Sequence, residues 1–581
     1  MIQPTPAIVA QVAVKRLPRL ALVLFCLAYV LPGFVGRVPW KYDDITTFGY
    51  MAELARGASD WWHPTLGGLS PEVDALLPYW LGAWAIQLAP GWLPIDMAAR
   101  MPFMLLLALA LMATWYGTYY LARGPKAQPV AFAFGGEAHP TDYARAIADG
   151  ALLAFMACLG LAQLAHETTP ALTQLCFTAL LFYAAAALPY RPWVPGISAG
   201  VALFGLTVSG APAMALALGL GSASLYLLEP ATDSTDAAQQ KVRAMGLVVL
   251  SIASAAVATL MHLWHWRIDL PQANLAQWQS LGRLFLWFTW PAWPLAIWTL
   301  WRWRRQLFST GVSSLHLWLP IWFVAVASTA TLTTSAAHRS LLLALPALAA
   351  MAAFALPTLS RSVSALIDWF TLIFFTSCAL AIWVVWISMQ TGIPAQPAAN
   401  VARLAPGFVH SFSLTPFVMA VCATLVWVWL VRWRTGRHQS ALWKSVVLPA
   451  GGVALCWLLL LTLCLPLLDF ARSYAPMVKI ATSAMSQSRG CVATLGLSRS
   501  QIAAFQFHGK LELQAIDKNN TCQWLIADIA TARARPDIAQ GATWQLRRSM
   551  GHPAERKDSL WLYERRPQPE LAPPVTQEKP G

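Results

Sequence analysis

The sequence predicts an all-α polytopic membrane protein with a small soluble α/β domain at its C-terminal end. Apolar residue types make up 57% of the 581 residues, and charged types make up only 11%. Apolar runs of about 20 residues recur between positions 20 and 468, and each is long enough to cross a hydrocarbon core of ~30 Å as a helix. Only helices and closed barrels satisfy their backbone in lipid, and these runs are too long and uniformly apolar for barrel strands.

The net charge of +14 does not indicate a nucleic-acid partner. Many of the basic residues lie in short loops beside apolar runs, at 15–19, 302–305 and 432–444. An excess of Lys and Arg in such loops is typical of the cytoplasmic side of a membrane protein. The expected partner of this surface is therefore the bilayer, and we expect no binding of nucleic acid.

The apolar runs provide 14 candidate spans in residues 1–468. The first run follows a basic N-terminal segment, but no small-x-small cleavage site follows it, so we predict an uncleaved span with a cytoplasmic N-terminus. The candidate spans are 20–35, 76–90, 101–121, 150–165, 171–188, 196–211, 213–228, 245–263, 282–300, 315–334, 340–357, 364–388, 415–431 and 446–468.

The parity of these spans predicts about 13 transmembrane helices. An even number of crossings would return the C-terminus to the cytoplasm, whereas the basic loops place residues 469–581 on the outer side. The run at 76–90 is short, contains Pro78 and ends at Pro90, so we expect it to be re-entrant or interfacial. The alternative is that 196–228 forms one broken crossing.

The chain after position 468 has a different composition. Residues 469–566 are predicted to form a periplasmic α/β domain, and the tail at 567–581, rich in Pro and Glu, is predicted to be disordered. Short alternating runs predict strands, and 498–505 is a candidate helix. The predicted strands are 492–497, 505–507, 511–516, 523–529, 544–547 and 560–563.

Two of the nine cysteines lie in this exported domain. Cys491 and Cys522 belong to neighbouring predicted strand regions, in a compartment that permits oxidation, so we predict a disulfide between them. The alternative is two unpaired thiols. The other seven lie in or beside apolar runs and are expected to be small buried side chains.

An acidic pair marks the outer first loop, at 36–75. Asp43 and Asp44 follow the first span within a segment that reads Trp-Lys-Tyr-Asp-Asp. A carboxylate at this position can deprotonate an incoming hydroxyl or amine, or can hold a metal ion. The alternative is an ordinary pair of solvated loop acids.

Further short motifs follow in a fixed order along the chain. They are Asp60-Trp61-Trp62-His63-Pro64, Leu77-Pro78-Tyr79-Trp80-Leu81, Ala98-Ala99-Arg100-Met101-Pro102, His166-Glu167-Thr168-Thr169-Pro170, Gly205-Leu206-Thr207-Val208-Ser209-Gly210 and His338-Arg339. This order, over residues 20–360, resembles the GT-C class of glycosyltransferases that use lipid-linked sugars. Within that class it is most similar to the bacterial aminoarabinose transferases of lipid A and the protein O-mannosyltransferases, which are glycosyltransferase families 83 and 39.

The resemblance implies a GT-C-like fold and assigns roles to particular residues. Asp43 or Asp44 would be the catalytic base that activates the acceptor, and Arg339, with His338 beside it, would contact the phosphate of the donor. A guanidinium suits bidentate contact with phosphate. Glu167, with His166, would form a second acidic site, and we expect the four residues Asp43, Asp44, Glu167 and Arg339 to line one outward cavity.

The sequence also departs from the pattern of this class. The family commonly has Glu-Lys-Pro before the Leu-Pro-Tyr-Trp segment, whereas this chain has Glu72 one position away and no Lys there; Ser209 replaces a second Lys. Glu72 is the candidate ligand if a divalent metal is the cofactor. Either Arg339 and other cations replace the lysines, or the donor differs, or the activity has been lost.

The predicted function is therefore transfer of a sugar from a polyprenyl-phosphate donor to lipid A, a glycan or a protein, at the periplasmic face of a bacterial inner membrane. One alternative is a transporter or flippase of lipid-linked glycans. However, the chain shows no internal repeat, and its candidate charges lie at span ends. Another alternative is an inactive homologue that acts as an assembly partner. The sequence does not name the sugar.

Overall fold

We describe a computed structural model of the chain. It describes residues 5–229, 234–264, 268–271, 274–308, 314–334, 337–436, 441–485, 491–516, 521–535, 543–552 and 555–566. The tail at 567–581, which the sequence predicts to be disordered, lies outside these residues.

Helices dominate the described residues, from near the N-terminus into the C-terminal domain. They are α1 Arg19–Val30, α2 Asp43–Ala55, α3 Leu77–Leu88, α4 Ile95–Ala122, α5 Pro140–Ala157, α6 Leu159–Leu164, α7 Pro170–Ala187, α8 Trp193–Val208, α9 Pro212–Leu228, α10 Ser234–Leu260, α11 Leu275–Phe288, α12 Ala292–Leu307, α13 Leu315–Thr333, α14 Ala337–Leu342, α15 Leu345–Ala355, α16 Arg361–Thr391, α17 Ala395–Leu404, α18 Leu414–Thr435, α19 Lys444–Leu463, α20 Leu465–Arg472, α21 Ala475–Ala484, α22 Arg499–Gly509 and α23 Ile529–Arg533.

Among the described residues, seven of these helices are long and apolar enough to cross a membrane: α4, α7, α10, α13, α16, α18 and α19. Further apolar helices of 10–17 residues include α8, α9 and the region around α15. The chain is thus a multi-pass membrane protein, and the count of 13 crossings stays a prediction. Residues 77–88, within the short candidate span at 76–90, form a helix of only 12 residues, α3.

Two of the predicted spans are each divided between two helices. The run at 282–300 covers two helices, because the chain breaks between Phe288 and Ala292 at Pro291. Proline lacks the N–H that a helix interior needs, so it favours a helix start over a helix centre. The run at 150–165 is likewise divided, into α5 and α6, at Cys158.

Small residues allow the central helices to pack closely. Gly117 on α4 lies against Phe182 on α7, and a Cβ at position 117 would come within 2.9 Å of that ring. Close backbone approach at small residues is a usual way to associate helices in lipid, where apolar burial contributes little. This packing brings α4 and α7 into close contact.

The loops gather at two opposite ends of α4 and α19. At one end, the N-terminal segment meets the basic loops, since Arg16 pairs with Asp142 and the Trp443 indole donates to the Lys15 carbonyl at 2.8 Å. At the other end, the first loop meets the C-terminal domain, where the Lys41 N–H donates to the Arg472 carbonyl at 2.8 Å. The basic loops thus lie at one end of the bundle, and the first loop with its acidic pair lies at the other end.

The C-terminal domain contains a mixed five-stranded sheet. Its strands are β1 Val492–Leu495, β2 Leu513–Ala515, β3 Trp524–Asp528, β4 Trp544–His552 and β5 Glu555–Arg565. Their order is β2-β1-β3-β5-β4; β1 runs parallel to β2 and β3, and β5 is antiparallel to β3 and β4. The predicted all-α membrane protein with a small α/β domain is confirmed.

In this domain one sequence-based prediction, the strand at 505–507, is wrong, and another, the disulfide, is confirmed. Residues 505–507 lie in α22, whose start carries a capping box formed by Ser498 and Gln501. Cys491 and Cys522 form a disulfide with Cα atoms 5.1 Å apart.

Candidate functional site

The first loop folds into a helix that begins at the acidic pair. Asp43 and Asp44 occupy the first turn of α2, where the helix dipole favours negative charge. Successive residues of an α-helix point about 100° apart, since 3.6 residues complete a turn. The two neighbouring carboxylates therefore face different surroundings.

Asp44 is buried and fully engaged in hydrogen bonds. One carboxylate oxygen accepts from the Arg37 guanidinium at 2.7 Å and from the Trp40 N–H at 3.0 Å. The other accepts from the N–H and hydroxyl of Thr168 at 2.8 and 2.6 Å. Only 1% of the side chain is exposed, so Asp44 is placed to connect two loops and not to meet a substrate.

The charge of Asp44 is stabilised despite its burial. Burial alone would raise the pKa of this carboxyl, but Arg37, Arg100 and the two Thr168 hydrogen bonds together hold the pKa below its ordinary value. Asp44 is thus an ionised structural anion at neutral pH.

Arg37 completes the same buried network. Its guanidinium donates to the Gly33 carbonyl at 2.8 Å and to the His166 carbonyl at 2.7 Å, in addition to Asp44. Arg100, at the start of α4, donates to the Arg37 carbonyl. Arg100, from the motif at 98–102, therefore supports the first loop.

Asp43 is the accessible member of the acidic pair. Its side chain is 37% exposed and forms an ion pair with Arg339, whose side chain is 27% exposed. Arg339 lies on α14, about 300 positions later in the sequence. The fold thus joins the candidate base and the candidate phosphate ligand directly.

A cavity of about 310 Å³ adjoins α14. His338 lines it, together with polar residues of the 269–280 region and of the end of α13: Asp269, Gln277, Ser280, Thr331 and Thr334. Burial lowers the pKa of His338 below its usual value, so its imidazole is favoured in the neutral form. Asp43, Asp44, Glu167 and Arg339 are not among the residues that line this cavity. The expectation that these four residues line one outward cavity stays a prediction.

His166 is buried where the turn before α7 packs against the end of α1 and against α19. Its Nε2 faces the Tyr29 carbonyl at 3.0 Å, and its ring lies against Trp457 with centroids 4.8 Å apart and the two ring planes tilted by 38°. A Cβ at Gly33 would overlap this ring. Burial lowers the pKa of His166 to about 4, so this histidine is placed as a neutral packing residue.

Glu167 lies one residue from the Thr168 contact of Asp44. Its carboxylate accepts from the Gln163 amide at 3.1 Å. Burial first, and then the negative charge of Asp44, raise the pKa of Glu167 to about 7. The second acidic turn is therefore adjacent to the first, and Glu167 changes charge near neutral pH.

Glu72 pairs with a cation of the C-terminal domain. Its carboxylate lies 3.0 Å from Arg499 and is 71% exposed. Within the described ranges, no group of three His, Cys, Asp or Glu side chains comes together in a way that would hold a metal ion. A divalent metal held by Glu72 therefore stays a prediction.

The C-terminal domain buttresses the helix that carries Asp43. Phe48 on α2 packs edge-to-face on Phe507 of α22, with centroids 4.8 Å apart, and Gly49 contacts Ala503 so closely that a Cβ there would lie 2.7 Å from the alanine Cβ. The Trp40 indole donates to Asp469 at 2.8 Å. The acidic turn is thus fixed by both the bundle and this domain.

Several residues of the site were absent from the sequence-based candidates: Arg37, Trp40, Thr168, Asp469 and Arg472. The signal that could have identified Arg37 and Asp469 is their charge at the edge of a span, where an unpaired charge would be costly. Thr168 and Trp40 carried no such signal, because their contribution depends on contacts made in three dimensions.

Comparison with known proteins supports the fold. ArnT from Cupriavidus metallidurans bound to undecaprenyl phosphate matches with a TM-score of 0.59 and 14% identity, covering 94% of this chain and 98% of that chain. Its apo state matches with a TM-score of 0.57 at the same identity and coverage. The arabinosyltransferase EmbB from Mycobacterium smegmatis gives a TM-score of 0.39 over 80% of this chain and 44% of that chain, with 14% identity. No family model matches, and no curated protein matches by sequence.

The likeness to ArnT extends over almost the full length of both chains. It therefore includes the membrane bundle and the C-terminal domain together. The GT-C-like fold implied by the motif order is confirmed.

Proposed function

We propose that this chain is a membrane glycosyltransferase that moves a sugar from a polyprenyl-phosphate donor to an acceptor hydroxyl or amine, with Asp43 as the general base. The observation that carries the proposal is the contact between a partly exposed carboxylate, Asp43, and a guanidinium, Arg339, at the loop end of an ArnT-like fold. The ArnT structure that contains undecaprenyl phosphate supports a lipid-linked donor.

Asp43 is preferred over Asp44 because of its surroundings. Asp44 has both oxygens occupied by four hydrogen bonds and lies within the protein, whereas Asp43 is accessible. A base has to come within hydrogen-bond reach of the proton it removes.

The reaction proceeds as a single displacement in this proposal. The acceptor oxygen or nitrogen bonds to the anomeric carbon and passes its proton to Asp43. The bond between that carbon and the phosphate oxygen breaks, and its electron pair stays on the phosphate. The configuration at the anomeric carbon inverts, and Arg339 stabilises the phosphate by bidentate contact. The mechanism assigns no step to a metal ion.

The finer parts of the proposal concern the acceptor and the membrane. Lipid A, a glycan or a protein at the periplasmic face of a bacterial inner membrane is the proposed acceptor, with the N-terminus in the cytoplasm. The lysines absent near Glu72 and at Ser209 leave Arg339 as the principal cation for the phosphate.

The test uses the purified full chain in nanodiscs with a panel of polyprenyl-phosphate sugars. Release of polyprenyl phosphate and formation of the glycosylated acceptor are measured. Asp43→Asn should lower the rate by ~10²–10⁴-fold, the usual contribution of a general base. Asp60→Asn, an exposed acid of the same loop paired with His63, is the matched control and should retain the rate. Full activity of Asp43→Asn would refute the role of Asp43.

A transporter would behave differently in the same system. It would move a lipid-linked glycan across the bilayer without consuming the glycosyl-phosphate bond. Translocation without consumption of any donor in the panel would reject the proposed transfer reaction.

A further inference from the structure

We infer that Arg339 is a shared counter-ion, which passes from Asp43 to the donor's phosphate group as the sugar is transferred. This inference rests on the proposed function and concerns the control of the same site. It starts from one contact, the ion pair between Arg339 of α14 and Asp43 of α2.

The geometry permits this exchange. Both partners are partly exposed, at 27% and 37% of their side chains, so an incoming anion can reach the guanidinium. Arg339 follows His338, which lines the cavity of about 310 Å³ beside α14. Arginine presents several N–H donors in a planar fork, so one side chain can release a carboxylate and take a phosphate without losing all its bonds.

The charges of the proposed reaction favour the exchange in one direction. A donor phosphodiester carries one negative charge, and Asp43 carries another. After transfer, the proton of the acceptor neutralises Asp43, while the released polyprenyl phosphate is a monoester that carries ~1.5–2 negative charges at neutral pH. Negative charge therefore leaves Asp43 and accumulates on the phosphate during the same step.

The interaction between Arg339 and the phosphate is thereby stronger in the transition state than in the ground state. The attraction of Arg339 to Asp43 weakens as the carboxylate takes up the proton, and its attraction to the phosphate grows. An interaction that strengthens during the reaction accelerates it, whereas one of constant strength does not. The same logic makes ionised Asp43 and polyprenyl phosphate competitors for one cation.

The competition leads to an unusual binding prediction. Removing the charge of Asp43 should tighten the binding of polyprenyl phosphate although it abolishes the proposed base. Partly exposed ion pairs typically contribute up to ~1 kcal/mol, so Asp43→Asn should bind the lipid about two- to fivefold more tightly than wild type. In an Arg339→Gln background, the same Asp43→Asn change should give no gain, because the shared cation is absent.

The experiment titrates undecaprenyl phosphate into the detergent-solubilised full chain, with uncharged polyprenol as the control for binding of the tail. Wild type, Asp43→Asn, Arg339→Gln and the double variant form the cycle. Asp60→Asn is the matched control, and Arg339→Lys separates charge from the planar fork. Melting temperatures show whether each variant remains folded.

Two results would overturn the inference alone. In the first, Asp43→Asn binds undecaprenyl phosphate no more tightly than wild type does. In the second, Asp43→Asn tightens binding by the same factor in the Arg339→Gln background as in wild type, which would indicate plain repulsion between Asp43 and the phosphate. If neither wild type nor Asp43→Asn binds the phosphate lipid better than polyprenol, the inference and the proposed lipid donor both fail.

Discussion

The substitution Asp44→Asn should destabilise the protein far more than Asp43→Asn, although the two residues are adjacent. The amide keeps the size of the side chain but replaces one carboxylate oxygen by an NH₂ donor. If the remaining oxygen accepts from Thr168, the new NH₂ group faces the Arg37 guanidinium and the Trp40 N–H, which are also donors.

The size of the stability loss expected for Asp44→Asn follows from the burial and charge of the Arg37–Asp44 pair. Arg37 and Asp44 are each about 1% exposed, so the substitution leaves a buried guanidinium without its anion. Removing one partner of a buried pair typically costs ~3–5 kcal/mol. Asp43 and Arg339 are partly exposed, and removal of their attraction should cost less than ~1 kcal/mol.

The assay compares the two variants in one detergent, by the fraction that remains monodisperse after heating. The pH dependence supplies an internal check. The pKa of Asp44 in the folded protein is below its ordinary value, so its contribution is present above the unfolded pKa of ~3.9 and declines as the pH falls through the folded value. The gap between wild type and Asp44→Asn should therefore persist from pH 8 to pH 5. It should widen as the pH falls through about 7, where Glu167 takes up a proton and no longer repels Asp44.

Equal melting curves for the two variants would contradict this reasoning. So would a gap that closes already between pH 8 and pH 6, because a group with a lowered pKa does not titrate there. Either result would mean that Arg37 finds another anion or that the loop rearranges around the amide.

Three further predictions concern the surroundings of this turn. Gly49→Ala should weaken docking of the C-terminal domain by ~1–3 kcal/mol through overlap with Ala503, and Ala503→Gly should restore the melting temperature and the transfer rate; failure of the rescue would disprove the contact. Glu167→Gln should raise stability above pH 7 and have little effect near pH 4, because a folded pKa of about 7 makes ionisation costly as the pH rises; an unchanged or inverted pH trend in melting experiments would reject that pKa. Replacing Cys491 and Cys522 by serine should cost ~2–4 kcal/mol by the loop-closure relation, and thiol labelling of both cysteines in the non-reduced protein would exclude the bond.

The sequence alone was sufficient to predict the fold class of the protein. Apolar runs of membrane length identify spanning helices because lipid leaves the backbone few alternatives. The order of short motifs over residues 20–360 was sufficient for a GT-C-like fold, and the acidic turn at 43–44 was recognisable because charge at the edge of a span is costly. The cysteine pair in the exported domain was predicted on similar local grounds.

The pattern of apolar residues was insufficient to predict secondary structure where the same pattern fits more than one kind of element. The short run at 505–507 alternates like a strand but belongs to α22, because a run of this length does not distinguish a strand from a turn of helix. The run at 282–300 has the hydropathy of one span, yet Pro291 divides it.

The different surroundings of the two aspartates were decided only by the tertiary structure. In the sequence, Asp43 and Asp44 are chemically identical neighbours. In the fold, Thr168, 124 positions away, and Arg37 surround one of them, while Arg339 on a distant helix meets the other. A residue's acidity and access depend on the groups within a few ångströms of it, and those groups come from distant parts of the chain that only folding brings together.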